Sequence, residues 1–336
     1  MNKKDLGLLL LILAVGAVVA VLNPRFLLPI NISNTSNLVG LFGLSAIGQA
    51  FVIITGGIEL SVGSMIALVG VLFVDFIASE GVPWPVALGL MLVLGVLVGL
   101  AHGFLITKVK LQPFVVTLCG LLIYRGVARF YTQDATAGFG FGQDFPLLDG
   151  LTTGKVYGVP ASVIALAIVA GAMWVVLHRS VFGRYLYAVG KNEEAARYSG
   201  IRTDRIVISA YVICQVLTVL SAIYFAMYTR SIAPASHGNF YELYAIAAAV
   251  LGGFSLQGGE GSLIGVILGV ILLQELQNLV NLLGIPSSLN FAVMGGVILI
   301  GVTMDQQWGA FMARRLRTRA ARAGSTARPD VAKNSG

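Results

Sequence analysis

Between residues 274 and 281 the chain places Gln274, Gln277, Asn278 and Asn281 at i, i+3, i+4 and i+7, which on a helix is one face. Carboxamides donate and accept hydrogen bonds without carrying charge. Such a face can hold an uncharged polar partner weakly. It suits equally well bonding to another helix, worth about 0.6 kcal/mol per contact within a membrane. A second group is KNEEAARYSGIRTDR at 191–205. Asn192 can cap a short helix there, Glu193 and Glu194 suit its positive N-terminal end, Ala195 and Ala196 favour helix, and Gly200 can end it. The pattern fits an ordinary surface helix as well as a docking element.

Enzymatic chemistry finds little support. The nearest approach to a phosphate-binding loop is GLTTGKV at 150–156, but Asp149 stands where its first glycine should be and Val156 where Ser or Thr is needed. The chain is therefore not expected to hydrolyse ATP itself. H-E-x-x-H and G-x-S-x-G are absent from the sequence, and the acidic residues fall mostly between apolar segments. His102, His178 and His237 lack the spacing of metal ligands, and Cys119 and Cys214 sit inside apolar runs as small hydrophobes. No metal site, disulfide or cofactor is expected.

The elements that carry these residues follow from composition. Apolar residues make up 57% and charged residues 11% of the 336 positions, against about 25% charged in a soluble domain. The 41 glycines suit helices that must approach closely in lipid. The expected fold class is all-α: a polytopic integral membrane protein with about ten spans, near 6–22, 37–54, 62–79, 85–106, 111–130, 159–177, 206–228, 242–254, 261–283 and 287–304. Each hydrophobic crossing needs about 20 residues, so the eighth is too short to cross alone. Residues 1–305 form one membrane domain, and 306–336 a basic tail expected to be disordered.

Positive charge gives the orientation, because cytoplasmic loops retain Lys and Arg. With both termini inside, 17 of the 22 basic residues are cytoplasmic, leaving Arg25, Arg125, Arg129, Lys155 and Arg230 outside. The net charge of +7 is concentrated in the tail after the last span, where it fits anionic lipid headgroups rather than nucleic acid. The glycine-rich stretches 55–70 and 251–269 align on their Gly-Gly pairs, as in an internal repeat, but this topology puts both on the same side, whereas inverted repeats would oppose them. Arg125 and Arg129, four residues apart near a span end, are read as snorkelling to the interface. Glu59 is read as capping a helix start. Glu275 is expected to face a second copy or the outer headgroups.

TGGIELSVGS at 55–64, LQPFVVTL at 111–118, AVGKNEEAARYSGI at 188–201 and AIAAAVLGGFSLQGGEGSLIGVILG at 245–269 together resemble the permease subunits of bacterial ABC importers for ribose, xylose, galactose and related sugars. One departure is Glu59, where that family usually carries Asp. The resemblance implies the ABC importer permease fold in the bacterial inner membrane. It also implies two cytoplasmic ATPase subunits that bind the ATP, a periplasmic sugar-binding protein, and a second permease, either a copy or a paralogue.

On that footing the amide stripe is expected to line the outer half of a sugar pathway, joined by Gln49 and Asn290. The 191–205 helix becomes the element that couples to the ATPase, through Asn192, Glu193, Glu194, Ala195, Ala196 and Gly200. The external segment 131–158 either docks the binding protein or covers the pore mouth. Related permeases carry other small solutes such as amino acids or nucleosides. An ion-coupled secondary transporter would need ionisable groups within its spans, for which Asp75 is the main candidate. A membrane-embedded enzyme would need catalytic polar groups gathered at one depth.

Overall fold

In a computed structural model the described residues are 3–140 and 143–286, with isolated positions between 289 and 299. The chain divides after Ser287, and the account below concerns the first unit. The expected tenth span, Asn290 and the basic tail lie outside the described residues.

Twelve α-helices are described: α1 (Lys3–Leu22), α2 (Pro29–Ile53), α3 (Val62–Ala78), α4 (Trp84–Thr107), α5 (Pro113–Thr132), α6 (Pro146–Thr152), α7 (Ala161–His178), α8 (Val181–Lys191), α9 (Glu193–Tyr198), α10 (Thr203–Thr229), α11 (Tyr241–Leu251) and α12 (Leu263–Leu282). Among the described residues, strand is confined to two-residue pairs. β1 (Ala137–Gly138) pairs with β4 (Ser231–Ile232), and β2 (Lys155–Val156) with β3 (Val159–Pro160), both antiparallel. Helices α1, α2, α4, α5, α7, α10 and α12 are long and apolar enough to cross a membrane, while α3 and α11 are shorter apolar helices. Nine of the ten expected spans thus coincide with helices, and the chain is a polytopic all-α membrane protein. Lipid offers backbone groups no partners, so each apolar run must satisfy its own.

The core is α2 and α10, with α3, α4, α7, α11 and α12 packed around them, α5 against α3 and α1 against α12. α2 is buried continuously from Gly40 to Ile53. Close approach depends on glycine where α4 crosses α10. A Cβ at Gly99 would lie 2.5 Å from Val212 Cα, and one at Gly103 would lie 2.7 Å from Ile208 Cα. This is the small-residue packing expected of helices in lipid.

The bundle has two distinct ends. At one, Asn23 Nδ2 donates to Leu282 O at 2.9 Å, Arg230 pairs with Asp149 at 3.0 Å, and β1 joins β4. At the other, the 54–61 linker, the α8–α9 region and the 252–262 turn converge: Gly259 N donates to Ile54 O at 2.9 Å and Lys191 pairs with Glu260 at 2.7 Å. The two glycine-rich turns therefore touch each other at one end, as their expected same-sided placement requires.

α11 explains how a short span is completed. Its 11 residues reach only about 16 Å, half of a hydrocarbon core of about 30 Å. The preceding 233–240 segment has no regular structure beyond turns and runs into the bundle. There Arg125, the thirteenth residue of α5, donates from Nη1 to Pro234 O at 2.8 Å and to His237 O at 2.6 Å. Irregular backbone at membrane depth persists only when protein satisfies it, and the guanidinium does so. Arg125 is therefore not snorkelling to the interface. Arg129 instead pairs with Asp134 at 2.6 Å in the following turn.

Candidate functional site

The most concentrated polar chemistry surrounds the 54–61 linker between α2 and α3. Glu59 is fully buried and bonds in two directions. Its Oε1 accepts from Ser61 N at 2.8 Å and Ser61 Oγ at 2.7 Å, beside the start of α3, so it does act at a helix start. Its Oε2 meets His102 Nδ1 of α4 at 2.8 Å, and His102 Nε2 meets the Tyr124 hydroxyl of α5, also at 2.8 Å. From α10, Gln215 Nε2 donates to Ser61 Oγ at 3.1 Å and the Tyr211 hydroxyl to Ile58 O at 3.3 Å. The carbonyl of Ile58 also accepts from Thr117 of α5, at 3.3 Å. One unwound stretch is thus held by α4, α5 and α10 at once.

Gln49 belongs to this cluster. In the orientation that satisfies both its side-chain atoms, its nitrogen donates to Glu59 O at 3.1 Å and its oxygen accepts from Glu59 N at 3.2 Å. It is fully buried, apart from the amide stripe it was expected to join. Tyr124, Tyr211 and Gln215 went unread in the sequence, and His102 stood out there only as lacking the spacing of a metal ligand, because each is a single polar residue in an apolar run and only the fold brings them together.

The α12 stripe is divided by depth. Gln274 is buried, Gln277 and Asn278 are half-buried, and Asn281 is exposed. Asn278 and Asn31 exchange amide bonds of 3.1 and 2.7 Å. α2 continues that polarity with Ser33, Asn34, Thr35, Ser36 and Asn37, a run the sequence reading passed over. Asn290 lies outside the described residues. Glu275 does not face outward: it is buried, and its carboxylate stands against α1, where a Cβ on Gly16 would come 2.5 Å from Oε1. Asp75 accepts from the Tyr131 hydroxyl near the end of α3, an ordinary helix-end contact rather than a site inside the bundle.

At the opposite end from β1 and β4, α9 forms as its sequence predicts. Asn192 is its N-cap, with Oδ1 accepting from Ala195 N at 2.9 Å, and Gly200 follows its end at φ +84°. Arg197 bonds to Glu193 at 2.7 Å and to Thr203 at 3.0 Å, and Lys108 pairs with Asp204 at 2.6 Å, which ties α9 to α10 and α10 to the end of α4. Ala196 is buried against the rest of the bundle, while Ala195 and Glu194 are exposed and Tyr198 stands 91% exposed. The outward face is therefore Glu194, Ala195 and Tyr198.

α8 is fixed just as firmly. Tyr187, its hydroxyl pushed up to about 12 by burial, donates to Gly261 O at 2.9 Å. A Cβ on Gly190 would lie 1.8 Å from Ile54 O and 2.4 Å from Gly259 N. The exposed Lys191 beside Glu260 holds that carboxyl below its usual range.

Residues 31–302 match the family model described as the permease component of branched-chain amino acid transport systems. The chain is 40% identical over 306 residues to the ribose import permease protein RbsC of Bacillus subtilis, covering 91% of this chain and 92% of that one. It is 38% identical over 307 residues to RbsC of Escherichia coli K12, covering 91% and 94%. It is 33% identical over 322 residues to the autoinducer 2 import system permease protein LsrD of Klebsiella pneumoniae, covering 92% and 95%. No solved structure matches it. A family match over most of the bundle, together with relatives aligned nearly end to end, establishes that the chain belongs to this family of multi-pass transport permeases.

Proposed function

We propose that the chain is the membrane-spanning subunit of an ATP-driven bacterial importer and passes a monosaccharide across the inner membrane, with both termini cytoplasmic. The observation that carries this reading is the alignment with ribose import permeases of two distant bacteria over more than nine-tenths of both chains.

The geometry supports the assignment of ends. Lys108, Lys110, Arg179, Arg184, Lys191, Arg197, Arg202 and Arg205 belong to the segments at the α9 end, which the positive-inside rule makes cytoplasmic. There α9 offers Glu194, Ala195 and Tyr198 to the groove of a separate ATPase, which holds the ATP. The opposite end carries the 131–158 segment, where a periplasmic sugar-binding protein docks. A second permease, copy or paralogue, completes the pathway, and Gln277, Asn281 and Asn290 are the amides proposed to line it.

The test is to purify the tagged chain from its native membrane, identify what accompanies it, and measure uptake of ribose, fructose and leucine. Co-purification of an ATPase and saturable sugar uptake are expected. Leucine uptake without sugar uptake would move the substrate to the branched-chain amino acids. Gradient-driven uptake with no ATPase would overturn the importer reading.

A further inference from the structure

At the end of the bundle opposite α9 lies a half-open hollow of about 260 Å³ whose wall includes Ser33, Asn34 and Asn37 of α2, Thr153 at the end of α6, Lys155 of β2 and Tyr228 of α10, with Pro160, Met227 and Arg230 completing it. Beside it, sharing Ser33 and Pro160, runs a second hollow of about 400 Å³ whose walls are largely apolar: Pro29, Ile32, Val159 and Val163. A half-open hollow with amides, hydroxyls and a lysine on its wall, continuous through Ser33 and Pro160 with a more apolar trough, matches an amphiphile better than a free solute.

Charge narrows the choice. Arg230, at the rim, is already matched by Asp149 at 3.0 Å and Asp144 at 3.8 Å, donates to Gln143 O at 2.6 Å and lies over the Phe139 ring at 4.8 Å. Lys155 has no ion pair among the described residues and is exposed. The chamber therefore presents one unmatched ammonium among amides and hydroxyls. The elements around it also carry apolar side chains outward, with Leu147 65%, Val156 51% and Tyr157 102% exposed. These are positions that would be costly in water and are favourable at a membrane interface, where aromatic residues collect at headgroup level.

We propose that chamber and trough are the seat of one anionic phospholipid. The Lys155 ammonium takes the phosphodiester, Asn34 and Ser33 bond to the glycerol and ester oxygens, and an acyl chain lies along Ile32, Val159 and Val163. Under the orientation proposed above, the lipid belongs to the outer leaflet. It would brace α2 against the β2–β3 hairpin through the polar run of α2, which is otherwise awkward to expose to hydrocarbon.

Native mass spectrometry of the intact complex, delipidated and then titrated with phosphatidylglycerol or phosphatidylethanolamine, tests this. Retention of one phosphatidylglycerol per chain in preference to phosphatidylethanolamine is expected. Lys155→Glu should lower that retention at least about five-fold, the equivalent of one lysine near an anionic surface. Val163→Trp, which fills the trough and leaves the chamber charge intact, should lower retention of both lipids. Equal retention in wild type and both variants would overturn the proposal. So would displacement of the lipid by millimolar inorganic phosphate, which would reduce the seat to a phosphate site, or by ribose, which would make the chamber a solute site.

Discussion

Glu59 Oε2 and His102 Nδ1 lie 2.8 Å apart with both residues out of contact with solvent, and Tyr124 closes the far side of the imidazole at 2.8 Å. Removing one member of a buried hydrogen-bonded pair leaves the other unsatisfied, at a cost of about 1–3 kcal/mol and more where that group is charged. His102→Leu should therefore lower the melting temperature of the detergent-solubilised complex strongly. Glu59→Gln, which keeps an acceptor for Ser61, should lower it less. Equal melting of His102→Leu and wild type would remove the pair from the forces holding the linker.

On α9, direction decides the outcome of substitution. Ala196→Trp should overpack the permease itself, costing about 1–3 kcal/mol, and reduce the amount of folded protein. Ala195→Trp and Tyr198→Ala should leave insertion and melting unchanged while weakening retention of the ATPase in pull-down. Gly200 has nothing within 4 Å of a built Cβ but sits at φ +84°, so its requirement is conformational. Gly200→Asn should be tolerated and Gly200→Val should not, because β-branched residues avoid that region. Equal behaviour of the two would show that the left-handed backbone conformation is not what the position requires.

Arg125 should resist conservative replacement. Lysine keeps the charge but lacks the guanidinium's planar array of donors, so it is expected to satisfy the carbonyls of Pro234 and His237 less well. Arg125→Leu should leave both carbonyls unpaired, at about 1–3 kcal/mol each. Protease cleavage within 233–240 should then accelerate in the order wild type, Arg125→Lys, Arg125→Leu.

The pair Asn31 and Asn278 offers a measure of its own role. Single leucine substitutions and the double variant form a cycle whose coupling should be about 0.6 kcal/mol if the amides only join α2 to α12. Uptake should then survive all three changes. Gln277→Leu and Asn281→Leu, at less engaged positions, should abolish uptake without loss of the assembled complex if the stripe lines the pathway.

Glu260 gives the pH dependence of the turn at the α9 end. Its carboxyl is held down by Lys191, so the contribution is present above the unfolded carboxylate range and is lost as pH falls through the lower folded value. The pair is exposed, which limits its worth to about 0–1 kcal/mol. Glu260→Gln should therefore flatten a shallow loss of stability below about pH 4.5 and leave neutral pH nearly unchanged, as followed by melting at graded pH.

How much of this was legible varies with its physical origin. The spans were readable because lipid demands uninterrupted apolar runs, and α9 because capping is local: Asn192 and its helix lie within nine residues of Gly200. The linker cluster was not, since Gln49, Glu59, His102, Tyr124 and Gln215 come from different segments and each looks like an isolated polar residue. The shortness of α11 was evident, but its remedy was hidden in Arg125, which as a lone cation in an apolar run reads the same whether it reaches for headgroups or for carbonyls. The amide spacing on α12 marks a face without saying what it meets. Asn31 answers that for Asn278, and only the packing of α2 shows it.

At the junction of Gly190, Ile54 and Gly259 three stretches of main chain meet without side chains between them. Side-chain contacts can absorb displacement by changing rotamer, whereas peptide groups in van der Waals contact have no such slack. If α9 meets an ATPase as proposed above, a push on it would pass through α8 to the turns leading into α3 and α12 with no side-chain layer between. The junction is in mechanical terms a stiff linkage between α8 and those two turns, and adding even a methyl group at Gly190 would wedge it apart.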